Sequence, residues 1–364
     1  GEQGAALATL QEGIEHVGED PQLLQALGSY YQSQAEFGLA ERTFQRLLAL
    51  YPEETIGPMA LGALYANLGQ ESDAVAQYRQ ALSLDPSDPA IYVALGDAYR
   101  QAAQSGVSAP YYREAIDADP SSTQGYLALA DLHLAEGLPQ EARRYAELAL
   151  EISPASPQAH IALGQAYEST GNAAAAERQY QTAMTLDRSR VEGHLALADL
   201  YVAGARYGEA VAIYLQAVDV DSLDWSLWVA LGNVYAAMGQ NENALSGFAR
   251  AAEMNPGISA PWLRQGDVLL AQGDVSSAKE AFETAHSIRP DEGDPLLRLS
   301  GLSEAQEDPV AAERYARQAI DAAPTVPAGY VTLGRILASN EELEETAANF
   351  MMAIQRNPRQ CDAY

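Results

Sequence analysis

The sequence has 364 residues, 48% of them hydrophobic, so there is ample apolar surface for a core, and the length alone is a soft prior for two or three globular domains. The formal charge is −29, from 50 acids against 21 bases. A chain this acidic repels phosphate backbones and anionic headgroups, which sets aside nucleic acid and anionic membrane surfaces as partners. No run of about 18 apolar residues occurs, so no membrane span is predicted.

In chain order, the first predicted element is an amphipathic helix over residues 5–17, with Ala6, Leu10, Gly13 and Ile14 in its apolar or small positions. The chain starts at Gly1 without a Met or an apolar leader, which is the expectation for a processed protein or for a piece of a longer one. From Pro21 onward the sequence repeats with a period of 34 residues, giving ten rows without insertion up to Gln360. Repetition of this kind overrides the domain prior, because arrays grow without closing a core.

Positions in a row are numbered here as columns, counted from Pro21. Column 7 is Leu in nine of the ten rows, with Gln265 the exception, and column 8 is always small, from Gly28 to Gly334. Column 20 is nearly all Ala, and column 27 is Ala in every row but the first, which has Leu47. Each row predicts two helices. In row seven Trp228, Leu231 and Tyr235 share one face of a first helix, and Ala244, Phe248 and Ala251 share one face of a second. The small column-8 residue is read as permitting close approach of the pair. Column 15 is often Gly, as at Gly69 and Gly239, which fits a residue just past a helix end. Column 32 is Pro in eight rows and stops the second helix. Rows five and six carry Arg188 and Ser222 there, so their helix ends are less defined. Asp20, Ser156 and Asp88 each precede a Pro and are predicted N-caps. Rows four and nine depart from the pattern. Ala146 and Ala316 replace the column-24 aromatic, with Tyr145 and Tyr315 one residue earlier as candidate substitutes.

The layout resembles the tetratricopeptide repeat family along its length, most closely in row seven through Trp228, Leu231, Gly232, Tyr235, Ala244, Phe248, Ala251 and Pro256. The resemblance implies an all-α fold, a right-handed α-solenoid superhelix of helix–turn–helix repeats with first helices lining a concave groove. Residues 1–20 then read as the second helix of a missing row, residues 21–360 as ten repeats in one solenoid, and residues 361–364 as a short tail. The family usually closes with a polar helix, and none follows row ten. The expectation is that Ala6, Leu10 and Ile14 at one end, and Ala347, Phe350, Met351 and Ile354 at the other, meet in a head-to-tail contact between copies. Such a contact is heterologous and generates rings or filaments.

By the same resemblance the groove is lined by columns 2, 5, 9, 12 and 13. Column 9 reads Asp97, Asp131, Gln165, Asp199, Asn233 and Asp267 over rows three to eight, and column 5 beside it reads Val93, Leu127, Ile161, Leu195, Val229 and Leu263. A polar ladder beside an apolar stripe can hold an extended peptide by its backbone and side chains. Simple solvation of column 9 is the competing reading. The acidity favours basic or apolar partner segments. The groove holds no Lys, so the lysine-based clamp on a terminal carboxylate is not expected.

His160 and His194 in column 4 are read as packing residues rather than metal ligands, and Asp224 in the acidic stretch Asp219, Asp221, Asp224 as a helix cap rather than a calcium ligand. The lone cysteine, Cys361, excludes a disulfide framework within one chain and reads as a free thiol; Asp362 breaks a prenylation box. No nucleophile–base motif, phosphate loop or cofactor signature is present. The sequence thus predicts a non-catalytic scaffold for protein–protein interaction with no cofactor, and as an alternative a structural protein that self-assembles end to end into an extracellular filament. Scarcity of Lys leans toward the cell surface and leaves the cytoplasm open.

Overall fold

The computed structural model describes residues 2–102 and 104–356. Among these residues every regular element is an α-helix, 21 in all. The chain divides into two compact units, residues 1–188 and 189–364. Unit 1 contains α1 (Glu2–Val17) and five helix pairs: α2 (Pro21–Ser33) with α3 (Phe37–Leu50), α4 (Ile56–Asn67) with α5 (Glu71–Leu84), α6 (Pro89–Gln101) with α7 (Ser105–Ala118), α8 (Gln124–Ala135) with α9 (Pro139–Ile152), and α10 (Pro157–Ser169) with α11 (Ala173–Leu186). Unit 2 contains five more: α12 (Glu192–Ala203) with α13 (Tyr207–Val220), α14 (Trp225–Ala237) with α15 (Asn241–Met254), α16 (Ala260–Ala271) with α17 (Val275–Ile288), α18 (Asp294–Ala305) with α19 (Pro309–Ala322), and α20 (Pro327–Ser339) with α21 (Leu343–Arg356). Within each unit a pair packs on itself and its second helix packs on the first helix of the next pair. Each pair therefore has two apolar faces to cover, which is the construction of a solenoid.

Local chemistry ends the helices at the same columns in every row. Where it is described, the residue at column 15 takes positive φ, as Gly69 (+68°) and Gly239 (+70°) do, and so do Ala35, Ala205, Glu307 and Glu341. That turn lets the backbone N–H of column 16 reach the carbonyl of column 11, for example Gln70 to Tyr65 at 2.8 Å and Asn172 to Tyr167 at 2.9 Å, and closes the first helix. The predicted caps are in place: Asp88 Oδ1 accepts from Ala90 N at 2.9 Å, Ser156 Oγ from Ala159 N at 3.2 Å, and Asp20 Oδ1 from Gln22 N at 2.9 Å. The second helices of rows five and six end at Leu186 and Val220, in the same column as all the others. Proline at column 32 is thus dispensable for termination. The chain turns out of the helix at Asp187 and Asp221, whose N–H groups bond back to Ala183 and Ala217.

The core is a series of small clusters strung along each unit. The column-20 and column-27 alanines are buried throughout, as are the column-7 leucines apart from the half-buried Leu27, with Leu95, Ala74 and Ala81 at 0% exposure. The column-8 position seats the aromatic ring of column 24. A Cβ built on Gly96 would lie 2.3 Å from Tyr112, and one on Gly232 would lie 2.5 Å from Phe248. Rows four and nine exchange both partners at once, with Ala130 facing a row that carries Ala146, and Ser300 one that carries Ala316. Tyr145 then stacks on His133 at 5.5 Å between ring centres and packs on the neighbouring cluster, as the substitute ring was expected to do.

Candidate partner-binding face

In unit 1 the first helices α6, α8 and α10 lie side by side. Column 5 places Val93, Leu127 and Ile161 on them, each half-buried. Val93 packs beside Tyr112 and Leu129, and Leu127 beside Ala146 and Leu163, so much of their surface is committed to the core.

The three column-9 residues of this unit differ in their surroundings. Asp97 accepts from the Tyr112 hydroxyl at 2.7 Å and pairs with Arg100 at 3.4 Å. Tyr112 reaches it by passing over Gly96 from the second helix. Burial first, then the hydrogen bond and charge of Asp97, push the Tyr112 hydroxyl well above its ordinary range. Asp131 is solvent-accessible and, among the described residues, has no hydrogen-bond or ion-pair partner. Surrounding protein crowds its carboxyl and raises its pKa; Arg100 opposes this and Asp97 adds to it. Gln165 is exposed. Between α8 and α10 opens a cleft of about 560 Å³ lined by Asp131, Leu134, Gln165, Glu168 and Ser169. Its residues come from columns 9, 12 and 13, and Glu168 accepts from the Tyr180 hydroxyl at 2.8 Å.

Unit 2 presents its own set. Asp199 accepts from the Tyr214 hydroxyl, again from column 24. Asn233 is exposed. Asp267 is held by Arg298, Nε to Oδ1 at 2.9 Å, with Arg264 at 3.7 Å. Leu195, Val229 and Leu263 are half-buried; Val229 packs on Phe248 and Leu263 on Phe282. Column 9 is therefore not a uniform row of free acids. Its carboxylates at Asp97, Asp199 and Asp267 are engaged by tyrosine or arginine, which the sequence reading missed. The signal was available: Asp in column 9 and Tyr in column 24 coincide in rows three and six.

Four column-4 side chains, in rows three, five, six and ten, bond backward to the preceding row. Tyr92 donates to the Pro86 carbonyl at 3.0 Å, Tyr330 to the Pro324 carbonyl at 3.2 Å, and His160 Nε2 lies 3.2 Å from the Pro154 carbonyl with Nδ1 at 2.7 Å from Gln179. His194 Nδ1 lies 3.2 Å from the Arg190 carbonyl. Asp224 caps α14 through Ser226 N at 2.8 Å, and Asp221 accepts from Leu223 N at 3.0 Å. At the chain's two ends, Leu10 and Ile14 are half-buried on α1, and Gly13 lies against Leu23 of α2. On α21, Ala347, Phe350, Met351 and Ile354 are exposed, Met351 at 64%. The Ala6 side chain and Cys361 lie outside the described residues.

Comparison with known proteins agrees with this architecture. A family model described as "Tetratricopeptide repeat" matches residues 93–157, 195–261 and 263–327, a second of the same description matches 133–200, and one described as "TPR repeat" matches 62–102. No curated protein matches the chain. Among solved structures, the crystal structure of yeast Tom70 is similar at a TM-score of 0.59 and 14% identity, over 97% of this chain and 88% of that one. At that identity the likeness speaks to fold. With period, helix pairing and family models in agreement, the chain belongs to the tetratricopeptide repeat family.

Proposed function

We propose that the chain is a non-catalytic scaffold that holds partner proteins on its first-helix faces. The observation that carries this reading is the cleft between α8 and α10, which is open to solvent and lined with both apolar and polar groups. Acids elsewhere on these faces serve structure: Asp97 and Asp199 anchor tyrosines, and Asp267 anchors arginines. Benzoylphenylalanine placed at Ser169, in the cleft, or at Gln181, exposed on α11, provides the test. Photo-crosslinks identified by mass spectrometry are expected at Ser169 and not at Gln181. Equal trapping at both, or trapping at Gln181 alone, rejects the first-helix face.

A second reading rests on the exposed Phe350, Met351 and Ile354 of α21. In that reading copies stack end to end, with Leu10 and Ile14 of α1 in the receiving face, and assemble into a filament outside the cell. Light scattering over a hundredfold range of concentration separates the two. A constant monomer mass removes self-assembly, whereas a growing mass that Met351→Glu abolishes supports it.

A further inference from the structure

We propose that the cleft centred on Asp131 receives an arginine side chain from an extended segment of a partner protein. The inference rests on the groove reading above and deepens it by naming what the groove selects. Its ground is the contrast among the column-9 acids. Asp97 is engaged by Tyr112 and Arg100, Asp199 by Tyr214, and Asp267 by Arg298. Asp131 lacks such a partner because row four carries Ala146 where rows three and six carry a tyrosine, and Tyr145 turns instead onto His133. The one carboxylate of this series left without an internal donor is also the one that lines the cleft.

The lining fits a guanidinium. Leu134 offers apolar surface to the three methylenes of the stem. Asp131, the Gln165 amide oxygen, the Ser169 hydroxyl and the remaining oxygen of Glu168 are acceptors spread over two helices. A planar fork of five donors satisfies acceptors so distributed better than a compact ammonium does. Crowding disfavours the charge on Asp131 even with Arg100 opposing it, and a cation bound in the cleft offsets that cost. The chain's net charge of −29 attracts basic segments over longer range.

The test is a phage-displayed library of random linear heptapeptides panned against the whole chain, followed by the selected peptide as a fluorescein-labelled synthetic probe in anisotropy titrations. Selected sequences are expected to share an arginine at one fixed place. Asp131→Asn is expected to weaken the probe at least tenfold, and Asp199→Asn less than twofold. Ser169→Trp, which fills the cleft from an exposed position, abolishes binding; melting curves confirm that all three variants fold. Peptides that Ser169→Trp displaces, but that lack a basic residue or bind Asp131→Asn within twofold of the parent, overturn the arginine assignment and leave the groove reading standing. Failure to select any peptide that Ser169→Trp displaces overturns both.

Discussion

Gly96, Tyr112 and Asp97 act as one device. The glycine leaves room, the ring fills it, and the hydroxyl emerges on the far face to meet an acid. Gly96→Ala forces a methyl to 2.3 Å from a ring that is itself 1% exposed, so it is expected to destabilise the fold by about 1–3 kcal/mol, read as a lower midpoint in urea. The opposite change helps elsewhere. Ala205 holds φ +54° in a turn where five other rows use glycine, and Ala205→Gly is expected to raise stability by about 1 kcal/mol in the same assay. The buried tyrosines also set an alkaline limit. Burial, with a smaller contribution from Asp97, pushes Tyr78 up to about 12, and Tyr112 and Tyr214 shift the same way. The folded state therefore keeps protons that the unfolded chain releases near pH 10. This stability is complete below pH 10 and is lost as pH rises through about 12. In a 295 nm titration these three phenols are expected to ionise only as helicity disappears; ionisation near pH 10 with full helicity retained contradicts it. The Asp131 carboxyl shifts upward as well, so its ionisation opposes folding, and Asp131→Asn is expected to melt slightly higher than the parent at pH 7.

At the scale of helices, periodic apolar positions and the turn residues made most of the fold legible in the sequence. Column 7 and the alanine columns predicted both helices of each pair, and Asp20, Asp88 and Ser156 marked their starts. Two things were not legible. Column 32 proline looked like the stop signal, yet α11 and α13 end in register without it, because the extended residue after column 30 and its bond to column 27 already close the helix. Ser222→Pro, at a column that accepts proline in eight rows, is accordingly expected to add about 0.4–1 kcal/mol by restricting the unfolded chain. The candidate face was half legible. The columns that line the cleft followed from the family pattern, whereas the state of each acid depended on a side chain in the partner helix, and a column read in isolation carries no information on that.

For the whole molecule, two compact units share one repeat period across residues 21–360, and we propose that the rows form a single array. Calorimetry with Gly96→Ala checks this: in one array a lesion in row three lowers the only transition, whereas independent units give two transitions of which one moves. A charge of −29 also makes the folded state repel itself, so the melting temperature is expected to climb as NaCl rises from about 20 to about 200 mM. The backward bond from column 4 to a proline carbonyl bears on how such a chain tolerates gene rearrangement. Cutting out residues 123–156 would splice Ser122 directly onto Pro157, restoring a serine at the mouth of α10 in place of Ser156, and would offer His160 the carbonyl of Pro120 instead of that of Pro154. A shortened gene of this kind keeps the same chemistry at its seam, so the repeat number can drift by whole rows while a loss of any other length breaks the joint.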